Sequence, residues 1–265
     1  MIYLSPWDLG LASLLILALA GLSLWTRLGV ERRLIVAALR TVIQLTLIGL
    51  VLRALFDHVH LAWVGLLALI MLSVAGWEVM SRQRRRLRGW WGYGVGTLSM
   101  FVSSFTVTVL ALLVFIGPQP WYTPQYAIPL LGMVLGNTMS GIALGVDRLT
   151  QDAWQQRMQI ESRLMLGQEW SRAVGHTRRE AVRVGMIPTI NAMAAAGIVS
   201  LPGMMTGQIL AGAPPMEAVK YQILVMFLIA AGTGFGTMTA VWVGSRRLFD
   251  RRQRLRIDRL SAPRD

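Results

Sequence analysis

The stretch Ile128–Leu149, IPLLGMVLGNTMSGIALGVDRL, decides the fold class, because it carries no charged residue from Ile128 to Val146. About 20 apolar residues in a helix cross a hydrocarbon core of roughly 30 Å. Gly132 and Gly136, then Gly141 and Gly145, recur at four-residue spacing. That spacing makes a groove where a second helix approaches closely, as is common between membrane helices. Asn137, Thr138 and Ser140 put polar groups near the middle of the span. An amide in lipid needs hydrogen-bond partners, so this helix is expected inside a bundle, with Asn137 serving packing or a substrate path.

Outward from it, six further apolar blocks lie near 7–26, 34–56, 61–80, 93–116, 185–212 and 218–244, against 125–146 for the first. With 54% hydrophobic and 15% charged residues, the composition is too apolar for an ordinary soluble domain. The expected fold is an all-α polytopic membrane bundle of about seven transmembrane helices, one domain over 1–265. Its first block has no basic n-region and no clear small-residue cleavage site, which argues against a cleaved signal peptide.

A net charge of +13 raises nucleic acid as a partner, so the placement of charge matters. Arg27, Arg32 and Arg33 follow the first block, five arginines from Arg82 to Arg88 the third, and seven from Arg148 to Arg183 the fifth. Eight more fill the tail from Arg246 to Arg264, whereas the alternate loops hold only Arg53 and Lys220. The alternation follows the positive-inside rule, with the N-terminus outside and a basic cytoplasmic tail at 245–265. The charge reads as topology, and no basic face remains for nucleic acid. With no cysteine there is neither a disulfide framework nor a thiolate metal site.

Polar residues inside spans mark candidate function. Arg40 and Gln44, four apart, share a face of the second helix. Arg40 either pairs inside the bundle, with Glu78 as candidate partner, or snorkels to the nearer interface. Asp57, His58 and His60 form a D-H-x-H cluster whose imidazoles and carboxylate suit a metal, although such loops usually bind none. The sixth block is too long for a plain crossing and is interrupted at Pro202-Gly203. Broken helices of this kind form transporter sites, here flanked by Asn191, Met204, Met205, Thr206 and Gln208. Pro188 is expected in the first turn of that helix, starting near Gly185.

The segment of about 147–185 is hydrophilic, yet Trp154, Met158, Glu161 and Met165 recur at helical spacing. Amphipathic helices broken near Gly167 fit it, gripping a partner protein or lying on headgroups. The chain carries no G-x-x-x-x-G-K-[ST] phosphate loop, no H-E-x-x-H pair and no G-x-S-x-G elbow, so no enzyme chemistry is legible. Any ATP drive belongs to another subunit.

The stretches PLLGMVLGNTMSGIALGVDRL (129–149) and IPTINAMAAAGIVSLPGMMTGQILAGAPPMEAVKYQILVMFLI (187–229) resemble the FetB-type iron-export ABC permease family, related to plant aluminium-tolerance permeases. The R-x-x-x-Q-L around Arg40 and L-G-Q-E-W at 166–170 also fit. The resemblance implies a homodimeric permease in a bacterial cytoplasmic (inner) membrane, paired with an ABC ATPase that holds ATP and Mg. This chain itself would bind no cofactor. It further implies coupling through Glu161, Leu166, Gly167, Gln168 and Glu169. The substrate path is expected along Arg40, Gln44, Asn137, Met139, Asn191, Met204, Met205 and Gln208. Thioethers suit soft ions better than Fe(II), and most methionines in membrane helices only pack. A chelated metal, an organic anion or a sugar nucleotide near Arg40 therefore stands beside iron as cargo. A membrane sensor without an ATPase is the alternative from another class.

Overall fold

The computed structural model describes residues 5–57 and 59–263. They form two compact units, Met1–His60 and Leu61–Asp265. In the first, α1 (Pro6–Trp25) and α2 (Glu31–Asp57) make a helical hairpin. Ser5 caps α1: its Oγ accepts the Asp8 N–H, and its own N–H donates to Asp8 Oδ2 at 2.7 Å. The turn uses positive φ at Arg27 and Gly29. Buried Ser23 closes it, donating to Glu31 Oε2 at 2.9 Å and accepting the Val30 N–H. Leucines all round α1 are exposed, as in a helix whose solvent is lipid.

The second unit begins with α3 (Leu61–Arg82) and α4 (Trp91–Met100). A π segment (Phe101–Phe105), α5 (Thr106–Leu110) and a second π segment (Ala111–Ile116) continue α4 as one span. Then come α6 (Pro124–Gln155), α7 (Arg157–Met165), α8 (Trp170–Ala173), α9 (Gly175–Ala195), α10 (Gly203–Leu210) and α11 (Pro215–Arg247). Among the described residues, six helices are long and apolar enough to cross a membrane. The chain is thus an all-α polytopic membrane bundle. The block at 185–212 is the one that differs. It is divided between the second half of α9 and the eight-residue α10, which spans only about 12 Å. Because α9 starts at Gly175, Pro188 lies inside the helix, correcting the first-turn placement.

The core of this unit is the meeting of α6, α9 and α11. Gly185 packs against backbone: a Cβ there would lie 2.6 Å from the Gly141 carbonyl oxygen and 2.7 Å from Thr237 Cγ2. A Cβ on Gly145 would meet the same Thr237 methyl at 2.8 Å, and one on Gly236 would meet Thr138 Cγ2 at 2.6 Å. Lipid tails are as apolar as leucine, so such helices associate by close packing rather than by escape from water. The glycine groove expected on α6 is therefore real at Gly141 and Gly145. At Gly136 nothing lies within 4 Å.

Around this seam the hydroxyls of Ser104, Thr108, Thr138, Thr233 and Thr237 are buried without a hydrogen-bond partner. The first two lie on the span carrying the π segments, where an extra residue per turn disturbs the ladder. Beyond α11, residues 248–261 fold back rather than trail. Phe249 bridges Leu255, Leu260 bridges Leu87, and Ser261 N–H donates to the Arg86 carbonyl at 2.8 Å. Hydrogen bonds from the Arg256 guanidinium hold the Asp258 carboxyl down at about 2. A carboxylate lowered this way favours the fold above its ordinary range, and the contribution is lost as pH falls toward about 2.

Gly185→Leu is expected to cost about 1–3 kcal/mol through overpacking against backbone that cannot yield. Gly136→Leu is expected to be close to neutral. Thermal unfolding of both variants in one detergent checks the pair, and equal effects would contradict the packing assignment.

Candidate functional site

The break in the sixth block is built by local chemistry. Gly197 has φ +81, its N–H donates to the Ser200 carbonyl at 2.9 Å, and Pro202 then caps α10 in extended conformation. Left-handed backbone favours glycine, and proline at the start of a helix has no N–H left to satisfy. α10 ends at Leu210, Gly212 turns the chain with φ +94, and Pro214 precedes α11, which starts at Pro215. The result is a cavity of about 570 Å³ between the end of α9, α10 and the N-terminal part of α11.

Its walls include Met193, Pro202, Met205, Met226 and Phe227, with Gln222 as their amide. Gln222 is 7% exposed and its Oε1 has no partner. An unsatisfied buried carbonyl oxygen costs about 1–3 kcal/mol, which invites a donor from water, a hydrated ion or a ligand. The cavity thus offers soft thioethers, one amide side chain with an unpartnered oxygen and an aromatic wall.

Of the residues expected along a path, Pro202 and Met205 line this cavity. Gly203, Met204 and Gln208 lie on α10 beside it, and Gln208 Oε1 is also buried without a partner. Asn191 is exposed on α9. Asn137 is exposed too, its Nδ2 donating to the Met133 carbonyl of its own helix at 2.8 Å. That corrects the premise that this amide must look to other helices. Met139 packs partly buried against the core. In the first unit, Arg40 and Gln44 are exposed on α2. Asp57 and His60 are exposed, and His58 lies outside the described residues. Among the described residues no three His, Asp or Glu side chains come together. Met193, Met226 and Gln222 were missed. The signal for Gln222 was a lone amide in the apolar run YQILVMFLI.

A second feature lies where the hydrophilic segment meets the folded tail. α7 ends in a turn at Gly167, φ +83, leaving Met165 and Leu166 85% and 82% exposed. A groove of about 720 Å³ runs beside it, lined by Glu161, Gly167 and Gln168 from this segment and by Arg252, Gln253 and Arg254 from the tail. Glu169 occupies the N-cap position of α8 without a side-chain cap bond. Gln253 Oε1 accepts the Trp170 N–H at 3.0 Å, and the Trp170 and Phe249 rings lie 5.7 Å apart. Sequence reasoning found the helix turn but not the tail that braces it.

Residues 6–249 match the model of the uncharacterised protein family UPF0014. The chain is 40% identical over 250 residues to the "UPF0014 membrane protein slr1647" of Synechocystis, covering 94% of each chain. It is 33% identical to the "UPF0014 membrane protein STAR2" of rice, over 84% of this chain and 76% of that one. It is 30% identical to the "Probable iron export permease protein FetB" of Escherichia coli, over 96% and 95%. No solved structure matches the chain. Matched from the start of α1 to the end of α11, the chain belongs to the UPF0014 family of membrane proteins.

Proposed function

We propose that this chain is the membrane permease subunit of an ABC transporter that exports iron, another metal or a metal complex. ATP and Mg are held by a separate ATPase subunit, and this chain performs no catalysis. The observation that carries the reading is the cavity at the Pro202 break, with Gln222 Oε1 unpartnered beside Met193, Met205 and Met226. Discontinuous helices supply freed polar groups at the depth where a transporter binds its cargo. The name of the Escherichia coli relative, an iron export permease, supports the same direction.

The N-terminus lies outside and the C-terminus in the cytoplasm of a bacterial inner membrane, a topology supported by the alternation of arginines. In this topology the sixth crossing is made by α9 and α10 together, giving seven. The groove between the Gly167 turn and the tail then faces the cytoplasm and receives the ATPase, with Met165 and Leu166 as its apolar anchor. The exposed amides Asn137 and Asn191 turn toward a second copy of the chain rather than lipid, where polar groups are costly.

Thioethers, one amide and a phenyl ring favour a soft or ligated metal over bare Fe(II), which prefers nitrogen and oxygen donors. The organic-anion reading, sugar nucleotides included, stands second and rests on the guanidinium of Arg40 rather than on this lining.

The test is vanadate-sensitive ATP hydrolysis by the chain co-purified with its ATPase and reconstituted in lipid. Stimulation by Fe(II), by a metal chelate or by an organic anion identifies the cargo class. Gln222→Leu, which removes the acceptor with little change of volume, is expected to lower that stimulation about ten-fold while basal hydrolysis persists. A cargo response unchanged in Gln222→Leu removes the cavity from the path. If no ATPase co-purifies, the chain is a sensor rather than a transport subunit.

Gly167→Trp, or charge reversal at Glu161 and Glu169, is expected to abolish transport while the protein still inserts. Uptake into inverted vesicles and membrane fractionation check this, and normal transport would remove the segment from coupling.

A further inference from the structure

We propose that the junction of α4, α11 and the tail is a binding site for the headgroup of an anionic phospholipid. The site is a pocket of about 340 Å³ that adjoins the Gly167 groove through Arg251, walled by Trp91 and Trp242 and lined by Arg246, Arg247, Arg251 and Arg259. Trp91 opens the span Trp91–Ile116, and Trp242 stands in the last turns of the span that closes at Arg247. Both spans therefore leave the membrane at this pocket, and tryptophan belongs at that level because its ring is amphipathic.

Charge at the pocket is uncompensated. Its single carboxylate, Asp250, is already taken: Arg254 pairs with it at 2.9 Å, and the N–H groups of Arg252 and Arg254 donate to its other oxygen. The pocket is also built rather than loose. Arg259 Nη1 donates to the Arg247 and Phe249 carbonyls at 2.6 and 3.2 Å, satisfying the end of α11. Arg247 lies 4.5 Å over the Trp91 ring. Guanidinium groups held in this way present forked donors that match a phosphodiester. The exposed indole of Trp242 offers the acyl chain an apolar wall, which a soluble phosphate would leave unused.

A lipid here would tie the start of α4 to the end of α11 and to the clasp formed by residues 248–261. That places its effect at the base of the groove assigned to the ATPase, although lipid binding itself does not depend on that assignment.

The experiment is native mass spectrometry of the full-length chain released from nanodiscs of phosphatidylcholine with added phosphatidylglycerol. Phosphatidylglycerol is expected to be retained over phosphatidylcholine, and Arg246→Gln with Arg247→Gln is expected to reduce retention about ten-fold or more. The pair Arg84→Gln with Arg88→Gln, equal in charge but outside the pocket, should leave retention unchanged. If the first pair does not fold, Arg251→Gln, a single exposed change, is expected to give a smaller loss of the same sign. Equal retention of the two lipids, or equal losses in both double variants, overturns the proposal. Displacement of the lipid by inorganic phosphate at comparable concentration would assign the pocket to a free anion and also overturn it.

Discussion

The second unit depends on backbone lying against backbone where α6 and α9 cross under α11. Gly141, Gly145 and Gly185 leave no room for a side chain, and Thr233 and Thr237 fill the space above them. In lipid this contact must be made by fit, since burial of apolar surface brings little there. Everything else takes its place from it. α6 and α9 run on past the membrane and carry α7 and α8 between them, and α11 carries the tail. The orphan hydroxyls along the seam leave it under-bonded in this conformation. Hydroxyls that can exchange partners suit an interface with more than one packing arrangement.

Two features at opposite ends of the same helices follow. At one end, α9 stops early and α10 is short, so a cavity opens against α11 with an amide oxygen left unpaired. At the other, the Gly167 turn is braced by Trp170, Gln253 and Phe249, so a movement of α9 or α11 is felt at the groove. Because α9 and α11 each reach both ends, they are the physical link between cargo and partner in the proposed transport cycle. A brace of aromatic rings stacked with Arg178 and Arg246 also makes that link stiff.

Membrane class and helix positions were legible in the sequence because length and apolarity alone set them. The helix break was legible because the block is too long for a single crossing and Pro202 followed by Gly203 weakens a helix. Which glycines pack was only half legible. From Gly136 to Gly141 a helix turns about 140°, so the two glycine pairs cannot share one face. Asn137 misled because a short amide can bond back to its own helix and needs no neighbour. The cavity needed residues from three helices, and the clasp rests on pairings such as Leu87 with Leu260. Neither leaves a periodic mark. The tail's arginines announced a membrane side, and that plain reading hid their second use in holding a fold.

In the proposed transport cycle the cavity at the helix break is the place cargo occupies and leaves. The chain has no cysteine, so a single Met205→Cys gives an unambiguous probe of that cavity. The decisive measurement is labelling of this cysteine by a membrane-impermeant maleimide, from each side, with the ATPase resting and then trapped by vanadate. If cargo occupies this cavity, the labelled side changes between the two states, and cargo protects the cysteine in one of them. Labelling that is the same in both states, and indifferent to cargo, would contradict it.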